Sequence, residues 1–246
     1  MTTIPTEEQL LQAACHIGHR SFKWNPKMKP YLYGVQNGVH IFDLTQTVTR
    51  LKETCGDLTD MSKNGKTILF VSTKQHSTGF LEELGKETGH PTVTKKWIPG
   101  LLTNWKTISR RIKYYLDLQR SFQTGEVEKY TKKEQLKLRK KLAQLDNALS
   151  GVSGMTDLPD AIFVVDAVRD EIAVREARVI GIPVFGICDS NADPDYFTVA
   201  IPANDDATNS VKLILKTVQD ALVESGGRIT TKEIKEKKEK MQSKAA

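Results

Sequence analysis

The sequence lacks the residues that several common chemistries require. Its three cysteines, Cys15, Cys55 and Cys188, are too few and too scattered for a disulfide framework or a paired-cysteine metal knuckle. That usage fits a reducing compartment. No apolar run approaches the roughly 18 residues needed to span a bilayer. The opening stretch, MTTIPTEEQL, carries two acids and no base, unlike a secretory signal or an arginine-rich transit segment. No GxGxxG follows a strand-like run, so the glycine turn that lays backbone N–H groups on a pyrophosphate is missing. Gly65, Lys66 and Thr67 look like the end of a phosphate loop, but the earlier glycine is absent and the triplet leads into a strand instead of following one. One further absence is local: between His16 and Phe42 there is no acid at all.

What is present is charge, unevenly placed. The net +6 hides blocks of opposite sign. Residues 16–33 hold four bases and no acid, residues 95–145 hold 14 bases against four acids, and residues 228–246 hold seven against three. Residues 151–227 run the other way, with five bases against 13 acids. A merely solvated surface mixes its signs, so basic blocks on an acidic body point to an extended polyanion, nucleic acid before an anionic membrane. The basic blocks also carry rings. Arg20, Lys23, Lys27 and Lys29 alternate with Phe22, Trp24 and Tyr31, while Lys95, Lys96, Lys106, Arg110, Arg111 and Lys113 surround Trp97 and Trp105. Cations neutralise phosphates and rings stack on unpaired bases. Trp105 and Phe42 are better read as core.

Hydrophobic patterning sets the frame. KTILFVST (66–73), AIFVVDA (161–167), IPVFGICD (182–189) and FTVAIPA (197–203) are short apolar runs, several followed by helical spacing. Such runs want both faces covered, which means a mostly parallel sheet between helical layers. Gly181 stops one helix, and Asn204 or Asp205 is the expected N-cap of the last. In residues 103–122 the apolar positions Trp105, Ile108, Ile112, Tyr115 and Phe122 form one helical stripe, with Arg110, Arg111 and Lys113 off it. Leu138, Leu142, Leu145 and Leu149 form a second stripe, so the two helices are expected to pair as an antiparallel hairpin. The expected organisation is a body from 1–102 and 151–227, an inserted hairpin from 103–150 and a Lys-rich flexible tail from 228–246.

Two chemical alternatives compete with nucleic-acid binding. His16 and His19, three apart, would share one face of a helix, and Asp189 and Asp193 would add oxygens for a divalent ion. The plainer reading is that both histidines hydrogen-bond locally at a helix end. Asp166, Asp189 and Asp193, in loops after apolar strands, keep a metal-dependent Rossmann-like enzyme in view.

The blocks LLQAACHIGHRSFKWNPKMKPYLYGVQNGVHIFDLTQTV (10–48), KKWIPGLLTNWKTI (95–108) and PDAIFVVDAVRDEIAVREARVIGIPVFGICDSNADPDYFTVAIPANDDATNSVKLI (159–214), with GKTILFVSTKQ (65–75), resemble the small-subunit ribosomal protein 2 family of bacteria and organelles. The resemblance implies a three-layer Rossmann/flavodoxin-like α/β body with a protruding antiparallel helical hairpin. It implies a structural protein of the small ribosomal subunit, not an enzyme, with no cofactor, no membrane and no homo-oligomer. Its expected partners are small-subunit rRNA, held by segments 16–44 and 95–113, neighbouring small-subunit proteins, and the large mRNA-binding ribosomal protein 1 that it helps to dock. Its expected place is the ribosome in the bacterial cytoplasm, or in the stroma or matrix of an organelle.

Overall fold

The computed structural model describes residues 3–226; the Lys-rich tail 228–246 lies outside the described residues. Thr6 opens α1 (Glu7–Gln12) with a capping box, its hydroxyl accepting the Gln9 N–H while the Gln9 side chain accepts the Thr6 N–H. Three short strands follow, β1 (Ile17–Arg20), β2 (Leu32–Gln36) and β3 (Val39–Phe42), paired antiparallel in the order β1-β3-β2. Pro26 to Tyr31, a 3-10 turn with Asn25 accepting the Lys27 N–H, carries the chain from β1 to β2. This small sheet is not visible as such in the sequence.

Asp43 caps α2 (Leu44–Lys63), and the body sheet then begins with β4 (Ile68–Val71). After it come α3 (Gln75–Thr88), β5 (Thr92–Val93), α4 (Trp105–Gln123), α5 (Lys132–Leu149), β6 (Ala161–Val164), α6 (Glu171–Val179), β7 (Val184–Cys188), β8 (Val199–Pro202) and α7 (Thr208–Glu224). Every residue of β4, β6, β7 and β8 is buried. Their side chains alternate between two cores, as a strand's period of two requires. Ile68, Phe70, Phe163 and Ile187 meet α1, α2, α3 and α7, whereas Leu69, Val71, Ile162 and Val164 meet α4, α5 and α6. The expected three layers are therefore present.

The five body strands are all parallel, in the order β5-β4-β6-β7-β8. This is the flavodoxin-like order, and it reverses between β4 and β6, where doubly wound folds open a crevice at the strand ends. Gly186, at φ +150, sits where an added Cβ would fall 1.9 Å from the Val164 carbonyl oxygen, so β7 packs against β6 only with a glycine there.

Ile108, Ile112, Tyr115 and Leu118 of α4 and Leu145 and Leu149 of α5 are buried together, with Trp105, Phe122, Leu138 and Leu142 half-buried at the same seam. The chain reverses at Gly125, φ +75, and α5 starts with a Thr131/Glu134 capping box. One cap differs from expectation. The last helix takes Ala207 as N-cap, because the Asn204 side chain accepts the N–H groups of Asp206 and Ala207 in a preceding turn and Asp205 points its carboxylate elsewhere.

Candidate nucleic-acid interface

The crevice at the strand ends is the first place to look for chemistry, and the chain fills it with its own charges. Lys74, between β4 and α3 and 8% exposed, sends Nζ to Asp166 Oδ2 (2.8 Å), Asp205 Oδ1 (2.8 Å) and Asp206 Oδ1 (2.7 Å). His19 of β1 closes the group from above: Nδ1 lies 2.9 Å from Asp189 Oδ1 and Nε2 3.5 Å from Asp206 Oδ2. The His19 N–H donates to Ser190 Oγ at 2.7 Å. Gly18 makes this approach possible, since an added Cβ would stand 2.8 Å from Ser190 Oγ. Four carboxylates thus share one ammonium and one imidazole. Burial, then the neighbouring Asp189 and Asp166, push Asp205 up to about 8 against the pull of Lys74. The hydrogen bond that His19 donates to the Asp189 carboxylate raises His19 against the opposing cost of burial.

The two chemical alternatives fail here on geometry. Asp166, Asp189 and Asp193 do not converge on one point: Asp166 binds Lys74 and the N–H groups of Val168 and Arg169, Asp189 binds His19, and Asp193 caps a turn and pairs with Lys27. His16 and His19 lie at and in a strand, not on a helix, and His19 takes its partners from residues far along the chain. The local pairing expected of both is thus replaced by a tertiary one for His19, while His16 Nδ1 has no hydrogen-bond partner among the described residues. Among the described residues no group of three or more His, Cys, Asp or Glu is arranged to hold a metal ion.

The basic residues are disposed differently. Arg20, Lys23 and Lys29 are exposed on the N-terminal segment, beside Phe22 at 73% exposure. Lys27 is exposed but spoken for, with Nζ 2.8 Å from Asp193 and 2.6 Å from Asp195. Trp24 is half-buried and stacks on His40 at 4.9 Å, and Trp97 is buried. Lys95 donates to Asn147 at the base of the hairpin, and Lys96 is exposed. Lys106, Arg110, Arg111 and Lys113 all lie on the exposed side of α4, opposite its buried stripe.

Of the eight cations on the body's helices, three are paired along the helix, Arg50 with Glu53, Arg175 with Glu171 and Lys216 with Asp220. The hairpin goes further. Its helices hold five cations on α4 and six on α5, and none has an ion-pair partner among the described residues. Two of its three acids are engaged elsewhere, Glu134 in the cap of α5 and Asp146 accepting the Tyr115 hydroxyl at 2.6 Å. The α5 cations Lys132, Lys133, Lys137, Arg139, Lys140 and Lys141 belong with those of α4, although the ring-centred reading of the sequence passed over them.

Two anchoring residues were also missed. Lys74 carries a signal, a lysine in the loop that leaves an apolar strand. Glu176 carries a weaker one, the single acid among Ala173, Val174 and Ala177 on the inward face of α6.

The profile of the Ribosomal protein S2 family matches residues 10–225. The small ribosomal subunit protein uS2 of Coprothermobacter proteolyticus is 44% identical over 221 residues, covering 90% of this chain and 82% of that protein. The uS2 protein of Nitratiruptor sp. is 42% identical over 219 residues, covering 89% of this chain and 82% of its own length.

Proposed function

The chain belongs to the ribosomal protein S2 family, and from that premise we propose that it is a structural constituent of the small ribosomal subunit that binds small-subunit rRNA in support of translation. The observation that carries the binding surface is the set of unpaired cations on α4 and α5. An acid three or four positions away can neutralise a helix cation, as it does for Arg50, Arg175 and Lys216 on this body. Eleven unpaired cations on one hairpin repel one another unless phosphates supply the counter-charge. Arg20, Lys23, Lys29 and Lys96 extend the surface, and exposed Phe22 offers a stacking face.

The role is scaffolding, not catalysis, because the crevice where a doubly wound fold places a ligand is closed by Lys74 and its aspartates. Docking of the large mRNA-binding ribosomal protein 1 is proposed on the family's account alone. The site of action is the ribosome; no helix of the described residues is long and apolar enough to cross a membrane.

The test is charge reversal on α4. The triple variant Arg110→Glu, Arg111→Glu, Lys113→Glu should lower rRNA affinity and flatten its dependence on log salt by roughly 0.7–0.9 per lost phosphate contact. A variant that kept wild-type affinity and slope would move the RNA surface off the hairpin.

A further inference from the structure

Glu176 is a buried carboxylate, 8% exposed, with no cation within ion-pair distance among the described residues. A charge in that position is stable only if hydrogen-bond donors replace both water and counter-ion. All its donors come from one segment. Oε1 accepts from Trp97 Nε1 at 3.0 Å and from the Gly100 N–H at 2.7 Å. Oε2 accepts from the Leu102 N–H at 3.0 Å and from the Thr103 N–H and hydroxyl at 3.2 Å each. Residues 97–103 are therefore wrapped around one side chain of α6, with Gly100 at φ +85 making the turn.

That segment is the root of the hairpin, because α4 begins at Trp105. Its N-cap, Asn104, makes no side-chain capping bond, so the helix start is not fixed by a local device. The seven residues before it are fixed instead by a group on another helix. We propose that Glu176 is the positioning residue that sets the direction of the hairpin and thereby presents its cations to RNA; the proposal rests on the rRNA-binding reading given above.

Leverage makes the direction matter. A 19-residue helix is about 28 Å long, so a tilt of about 10° at its root carries the far end about 5 Å. That exceeds the tolerance of a charge-assisted hydrogen bond several-fold. Glutamine has the same shape but can present only one accepting oxygen, leaving the N–H groups at the other position facing an NH₂.

The experiment compares full-length wild type with Glu176→Gln in rRNA binding, in hydroxyl-radical footprinting of small-subunit rRNA, and in the ¹⁵N–¹H resonance of the Trp97 indole. The Gln variant should shift that resonance, lower the salt slope of binding by about 2–3, and lose the protections that the α4 triple variant loses. It should keep those that depend on Arg20, Lys23 and Lys29. Glu176→Asp, with the charge kept but the carboxylate drawn back, should fall between. A folded Gln variant with a shifted Trp97 resonance and an unchanged footprint would overturn the proposal. If the Gln variant does not fold, Thr103→Val removes one donor only and must show the same selective loss in smaller degree; an unchanged footprint there overturns it equally. A wild type that leaves no footprint overturns the rRNA reading itself, and the Trp97 resonance still reports whether Glu176 holds the segment.

Discussion

Lys74 shows how one side chain can decide whether a fold's habitual ligand crevice is open. Among the described residues its ammonium is the only lysine or arginine cation at Asp166, Asp205 and Asp206, so removing it leaves the buried Asp166 and Asp205 uncompensated. Lys74→Met should destabilise the chain by about 3–5 kcal/mol, the usual cost of breaking a buried pair from one side, as read by urea unfolding. A change under about 1 kcal/mol would mean that water already screens the cluster. Lys27 is the opposite case. It looked like a phosphate ligand in a segment without acids, but Asp193 and Asp195 approach it from more than 160 positions away in sequence. Lys27→Ala should therefore weaken rRNA binding less than Arg110→Ala does, measured side by side at one salt concentration. Equal losses would show that the aspartates release Lys27 to RNA. Both residues mark the limit of reading charge along a chain: acids in the second half choose their cations in space.

At the scale of elements, the hairpin separates a structural face from a functional one. Leu149 is 1% exposed at the seam and Leu136 is 56% exposed beside the cations, on the same helix. Leu149→Ala should cost about 2–5 kcal/mol, whereas Leu136→Ala should change stability by no more than about 0.5 kcal/mol; thermal melts of the two variants give the contrast. Comparable losses would show that α5 packs on something beyond α4 and the body. The seam was legible because Leu138, Leu142, Leu145 and Leu149 repeat with helical spacing, and the body strands because four-residue apolar runs have no other economical use in a chain this long. The N-terminal sheet was not. Its strands are four or five residues long, their registers shift between Ile17 and Arg20 and between Leu32 and Gly34, and their exposed faces blur the alternation. Glu176 escaped for a different reason: three of its five donors are backbone N–H groups more than 70 positions earlier, which leave no mark on side-chain type.

Across the whole molecule the signs of charge are separated, with cations free on the hairpin and carboxylates gathered in and around the sheet. The second half of that arrangement has a pH signature. His19 is held above its ordinary 6.5 by Asp189, so its contribution is complete below that value and is lost as pH rises through the raised one. Asp205, pushed up to about 8 by burial and by Asp189 and Asp166, keeps in the fold a proton that the unfolded chain releases near 3.8. Its contribution therefore also declines with rising pH and is gone above about 8. Glu176 and Asp206 act on the other side. Burial opposes them, but the hydrogen bonds to Glu176 and the Lys74 contact of Asp206 win, and both are lowered. Their contributions are present above the ordinary carboxylate range and lost as pH falls through the lowered values. Stability should accordingly fall as pH rises from about 5 to about 8, with His19 adding to Asp205 above 6.5, and fall again under strong acid. Urea unfolding across that range measures it, with Asp205→Asn as the control that should flatten the alkaline side. A profile that rises from pH 6.5 to 8, or an Asn variant with the wild-type slope, would mean that the cluster around Lys74 holds no proton of its own.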